Sequence, residues 1–143
     1  MRKLKIFCLV TLSFLFLTKA FSLETYVPVQ VTTILKTETS WDGKQIEYPS
    51  GKAEITGLII EIPSGGETGW HQHPVPSFAM ILEGELEVKL KDGSTKRLKK
   101  GEALAEVTNT LHNGRNVSSE TLKLVVFYAG VTGQNLTIRE SEK

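Results

Sequence analysis

One cysteine and three histidines are all that the 143-residue chain holds of those two residue types. Cys8 lies inside the apolar run near the N-terminus. If that region is removed, no thiol remains to form a disulfide, ligate a metal or attack a substrate. Long hydrophobic runs are lacking too. The longest, Ile6–Leu17, would rise only ~18 Å as a helix against a hydrocarbon core of ~30 Å. A hydrophobic content of 40% is close to that of ordinary globular proteins and favours neither disorder nor a polytopic membrane protein. There is no convincing long helical pattern, no internal repeat and no low-complexity linker, and the length suits one domain.

The first residues read as an export signal. Arg2, Lys3 and Lys5 precede the run Ile6–Leu17, and Ala20-Phe21-Ser22 supplies the small residues of a cleavage site, expected after Ser22. The other reading, an uncleaved anchor, suffers from the shortness of the run. A lipoprotein is disfavoured because Cys8 is not at a cleavage junction. The expectation is a signal over residues 1–22, a single domain over 23–143, and a periplasmic or secreted protein with no stable membrane insertion after cleavage. Residues 1–22 carry four basic residues and no acidic one. The remainder has thirteen basic against sixteen acidic residues, a charge of −3, so nothing suggests nucleic-acid binding.

What the chain does contain is strand-like. Residues Val27 to Leu35, Glu54 to Ile62, Ser77 to Leu82, Glu85 to Lys91 and Leu122 to Tyr128 are rich in Val, Ile, Leu and Phe and are separated by Gly, Pro, Asn or Asp, an all-β signature. Between Glu85 and Lys91 apolar and charged residues alternate strictly, so one face packs and the other meets water. Asp92-Gly93 then predicts a tight primed turn, with both central residues at positive φ.

His71-Gln72-His73 places two imidazoles on the same face of a strand. A metal site would need a third ligand from elsewhere, and His112 is the remaining candidate. It follows about forty residues later, after a hairpin that could bring a facing strand alongside.

Two spaced motifs running from Gly65 to Asn116 resemble those of the cupin superfamily. In the first, Gly65, His71, His73, Ser77 and Gly84 follow the spacing Gly, five residues, His-x-His, three residues, Glu, six residues, Gly. In the second, Gly101, Val107, Asn109, His112 and Asn116 follow Gly, five residues, Pro-x-Gly, two residues, His, three residues, Asn. Ser77 stands where the family has a glutamate ligand, and Val107 and Asn109 replace Pro and Gly. The resemblance implies a jelly-roll β-barrel and a divalent metal held by His71, His73 and His112.

Three neutral imidazoles would leave a site charge near that of the dication, which favours an anionic or chelating small molecule. Fe(II) is the expected metal, with Zn, Ni, Cu or Mn also suited to imidazole. By family analogy the site resembles those of three-histidine dioxygenases, and the expected function is a dioxygenase-like oxidoreductase; a ligand-binding or sensory barrel without catalysis is the alternative. A sugar isomerase is set aside for want of a placed acid and base, and a homodimer is expected from the family.

Four neighbours are candidates for tuning the site. Ser77 and, if it points inward, Ala79 and Ile81 would line the cavity. Glu106 could swing in as a substitute carboxylate or hold a histidine's second nitrogen by accepting a hydrogen bond from it; the other reading is a solvated side chain. Arg115 could steer an anion at the rim or be a plain surface residue, and Asn116 closes the second motif. Trp70 is expected on the opposite face from His71, packing on the sheet. Asn116-Val117-Ser118 and Asn135-Leu136-Thr137 match glycosylation acceptors.

Overall fold

The computed structural model describes residues 28–140. Nine strands are formed among them: β1 Ala53–Ile62, β2 His71–Gln72, β3 Ser77–Glu83, β4 Glu85–Leu90, β5 Thr95–Lys99, β6 Ala103–Ala105, β7 His112–Asn116, β8 Leu122–Val131 and β9 Ile138–Arg139. All lie in the compact unit Thr32–Lys143. No described helix is long and apolar enough to cross a membrane. The expected export segment, residues 1–22, lies outside the described residues.

Two antiparallel sheets result, one ordered β1-β8-β3-β6 and the other β5-β4-β7-β2-β9. Apart from the β4–β5 hairpin, neighbours in each sheet are not consecutive in sequence, which is the jelly-roll arrangement. The alternation that marks the strands decides which residues face inward. On β4, Leu86, Val88 and Leu90 are buried; on β3, Ser77, Ala79 and Ile81; on β8, Leu122, Leu124, Val126 and Tyr128. Apart from Ser77 and Leu90, these residues join Ile62, Val75, Leu98 and Leu104 in one hydrophobic core, against which Trp41 packs from the segment before β1.

Two expectations change. Residues 28–35 form no strand, and Val29, Val31 and Ile34 are exposed. β-propensity describes side chains that fit a half-buried pleated surface, and these stay exposed. The β4–β5 hairpin forms, with Lys89 opposite Thr95, but its turn is not primed. Gly93 N donates to Leu90 O at 3.1 Å and Leu90 N to Ser94 O at 2.9 Å. Gly93 alone has positive φ, 92°. This is a three-residue loop, a tight turn followed by a left-handed glycine bulge. Asp92 Oδ1 accepts from Ser94 N at 2.8 Å and needs no left-handed conformation.

Candidate metal centre

The three histidines arrive from both motifs on neighbouring strands. His71 on β2 pairs directly with His112 on β7, and His73 follows two residues later on the same face. The loop before β7 fixes His73: Asn109 N donates to His73 O at 2.8 Å. Asn109 is the one non-glycine residue with positive φ among those described, at 51°. Asparagine tolerates the left-handed region better than most residues, which explains how it replaces glycine in the second motif.

The rings converge, with centroids 4.8 Å apart for His71 and His73, 4.3 Å for His71 and His112, and 5.0 Å for His73 and His112. One nitrogen from each can be chosen so that all lie within 4.8 Å of one another. The other nitrogens are committed. Nδ1 of His71 meets Gly69 O at 2.7 Å, Nδ1 of His73 meets Leu136 O at 2.9 Å, and Nδ1 of His112 meets Thr110 O at 2.9 Å. A carbonyl oxygen only accepts, so each Nδ1 carries the proton and each Nε2 keeps a free lone pair.

Burial disfavours the imidazolium form at all three positions. It pushes His71 and His112 down and His73 down to about 4, against the opposing pull of each carbonyl bond. At neutral pH the histidines are therefore neutral, the form that ligates a cation. The donor set fits a divalent metal: three imidazoles of fixed tautomer, with the backbone holding each ring from behind.

These side chains open into a cavity of about 70 Å³ that is also lined by Ser77, Ala79, Glu106, Val126 and Tyr128. A wider hollow of about 460 Å³ shares His71, His73, Thr68 and Tyr128 with it and has Arg139 and Thr137 on its rim.

The cupin family model, described as a cupin domain, matches residues 58–128. The chain belongs to the cupin superfamily. No curated protein sequence matches it. Among solved structures it is similar to BH2720 from Bacillus halodurans, at 25% identity and a TM-score of 0.51, over 60% of this chain and 70% of that one. It is similar in fold to the DMSP lyase DddQ from Ruegeria pomeroyi, at 22% identity and a TM-score of 0.52, over 62% of this chain and 45% of that one. An oxalate oxidase in complex with the substrate analogue glycolate gives 20% identity and a TM-score of 0.51, over 59% and 45%. The chain thus spans less than half the length of the lyase and the oxidase.

Within the cupin frame, the expected neighbours divide. Ser77 faces the cavity, is 1% exposed, and its Oγ has no hydrogen-bond partner. Ala79 lines the cavity beside it, while Ile81 goes into the core. Glu106 also lines the cavity, and is not a solvated side chain. Arg115 points the other way, pairing loosely with Glu67 at 3.7 Å, because it sits on the outward row of β7 between buried Gly114 and Asn116. Asn116 is buried but structural: Nδ2 donates to Ile62 O and Glu120 O, and Oδ1 accepts from Ser118 N. Neither residue lines the cavity. Trp70 is likewise outside it, under Lys91 Nζ at 3.9 Å from the ring centroid.

Tyr128 is the residue that sequence reasoning missed. Its ring stands edge-on to His73, with centroids 5.1 Å apart, and burial pushes its phenol up, so it stays a hydrogen-bond donor. The signal was present in the inward row Leu124, Val126, Tyr128. Glu106 and Tyr128 thus add two ionisable side chains to the cavity wall beside the histidines.

Proposed function

We propose that this cupin is an exported metal-dependent oxidoreductase of dioxygenase type, acting on a small anionic or chelating substrate. The observation that carries the reading is the common tautomer: three Nδ1–H groups held by carbonyls and three Nε2 lone pairs converging. His71, His73 and His112 would hold one divalent ion, Fe(II) first. When bound, such an ion supplies open coordination positions and, in the case of iron, one-electron chemistry.

The chain's own residues do the rest. The β3 and β8 side chains Ala79 and Val126 wall the cavity with apolar surface and limit water. Ser77 Oγ, unpartnered and facing inward, offers a hydrogen bond to whatever enters. Arg139 on the rim, in the place once expected for Arg115, gives anions an attractive approach. The fold neighbours include an enzyme solved with glycolate, a small hydroxy acid anion, which is compatible with a substrate of this size.

The test is oxygen uptake by Fe(II)-loaded protein over a panel of diketones, thiols and phenolic acids, with His112→Ala as control. Uptake with one substrate class that vanishes in the variant supports the reading. A folded, metal-loaded and inert protein would instead favour the ligand-binding alternative. Export predicts that the secreted chain begins at Leu23, which N-terminal sequencing reads. A homodimer belongs to the same proposal and is supported by Ile55, Ile59 and Phe127 exposed on the outer sheet surface; light scattering would report about twice the mass of one chain.

A further inference from the structure

Glu106 is a carboxylate inside the cavity that metal binding does not use. Its Oε1 accepts from Trp41 Nε1 at 2.7 Å and from its neighbour's backbone, Val107 N, at 2.8 Å. Both bonds go to one oxygen. Oε2 has no hydrogen-bond partner among the described residues, and Glu106 shares the cavity with all three histidines. It is not a member of the ligand cluster itself, so it stands beside the metal position and not on it.

Its location answers the substitution at position 77. Glu106 N donates to Ser77 O at 2.9 Å, so the two residues are neighbours across β3 and the end of β6. Where the first motif lacks its carboxylate, the adjacent chain supplies one, held by an indole that enters from the Thr39–Gln45 turn. Trp41 N in turn donates to Ala105 O at 3.1 Å, so the turn is clamped to the same strand. The titratable groups near enough to act on Glu106 through their charge are His71 from β2, Asp42 from the turn and Tyr128 from β8.

We propose that Glu106 is the proton acceptor of this site and that its ligands are small chelating acids, molecules with an ionisable hydrogen on or beside the donor atom. As such a ligand docks, the bond from its donor atom to hydrogen breaks. The electron pair stays on the donor atom, and the proton passes to Oε2, giving a neutral carboxyl. Oε1 remains held by Trp41 and Val107 throughout, so the carboxyl does not rotate away. No charge leaves the cavity, which matters in surroundings where an unpaired charge is costly. This inference rests on the metal reading above.

Acetohydroxamic acid is a suitable probe, because it chelates only after losing a proton. Its binding to the zinc-loaded full chain is followed by calorimetry in two buffers of different ionisation heat, which counts protons released. The wild type should release none. Glu106→Gln, which keeps an oxygen for Trp41 but has no basic atom, should release one proton per probe and bind at least about tenfold more weakly. Glu106→Asp should restore part of the uptake, which a merely structural role would not.

A wild type that releases one proton per bound probe overturns the proposal without recourse to any variant, and so does a Glu106→Gln protein with unchanged affinity and unchanged proton count. Wild-type protein that takes up no zinc overturns the metal reading and this inference together, and so separates the two failures.

Discussion

His73 has the most strongly depressed imidazole, held down to about 4 by burial against an ordinary 6.5. Between those values the unfolded chain binds a proton there that the native protein does not. The associated stability is fully present above pH 6.5 and is lost as pH falls toward 4, by a total on the order of 3 kcal/mol for this residue. His71 and His112 act in the same direction. Glu106, pushed up from 4.5, acts oppositely, so its contribution is removed by measuring in the Glu106→Gln variant. Urea midpoints of that variant, metal-free, should fall between pH 7 and pH 5, and a flat or rising profile would contradict the assignment. Asn116 makes the opposite kind of prediction. Asn116→Ala orphans Ile62 O and Glu120 O and should cost about 2–3 kcal/mol while leaving metal content unchanged. The same burial withdraws Asn116 from glycosylation, whereas Asn135 is exposed.

Elements depend on a few glycines for close approach. At Gly84, between β3 and β4, φ is +81°, and an added Cβ would lie 2.9 Å from Leu122 Cα and 2.9 Å from Ser118 Oγ. Gly84→Ala therefore meets both a left-handed backbone and a backbone collision, and should cost roughly 2–4 kcal/mol. Gly93 has similar φ but open space, so Gly93→Ala carries only the conformational cost, about 1–2 kcal/mol. Thermal melts of the two variants side by side should show the larger loss at position 84; equal losses would mean the close packing of Leu122 and Ser118 is not rigid.

The strands legible in the sequence are those whose alternation is backed by burial. β4 reads directly from Leu86, Val88 and Leu90, and β8 from its row of apolar residues. β6 and β9 are too short to show a period, and β7 carries His, Gly and Asn on its inward row, which hides it from a hydrophobic pattern. Residues 28–35 show the reverse error, apolar sequence without a sheet partner. The three histidines could be read because motif spacing fixes register. Glu106 could not be resolved, since its direction is set by Trp41, sixty-five residues away, and Arg139 reaches the rim only through the pairing of β9 with β2.

At the scale of the whole molecule, with a single cysteine and so no intrachain disulfide to draw on, the barrel depends on its core and on any ion it holds. Metal at one hundred times its dissociation constant should add about 2.7 kcal/mol, read as a rise in melting temperature that a chelator reverses. The central claim is that His71, His73 and His112 together make one metal site. Elemental analysis of protein purified after dialysis against Zn(II) or Fe(II) tests it most directly. The account predicts about one ion per wild-type chain and almost none for a folded His112→Ala variant. Wild-type protein without metal, or a variant that keeps the wild-type content, would contradict it.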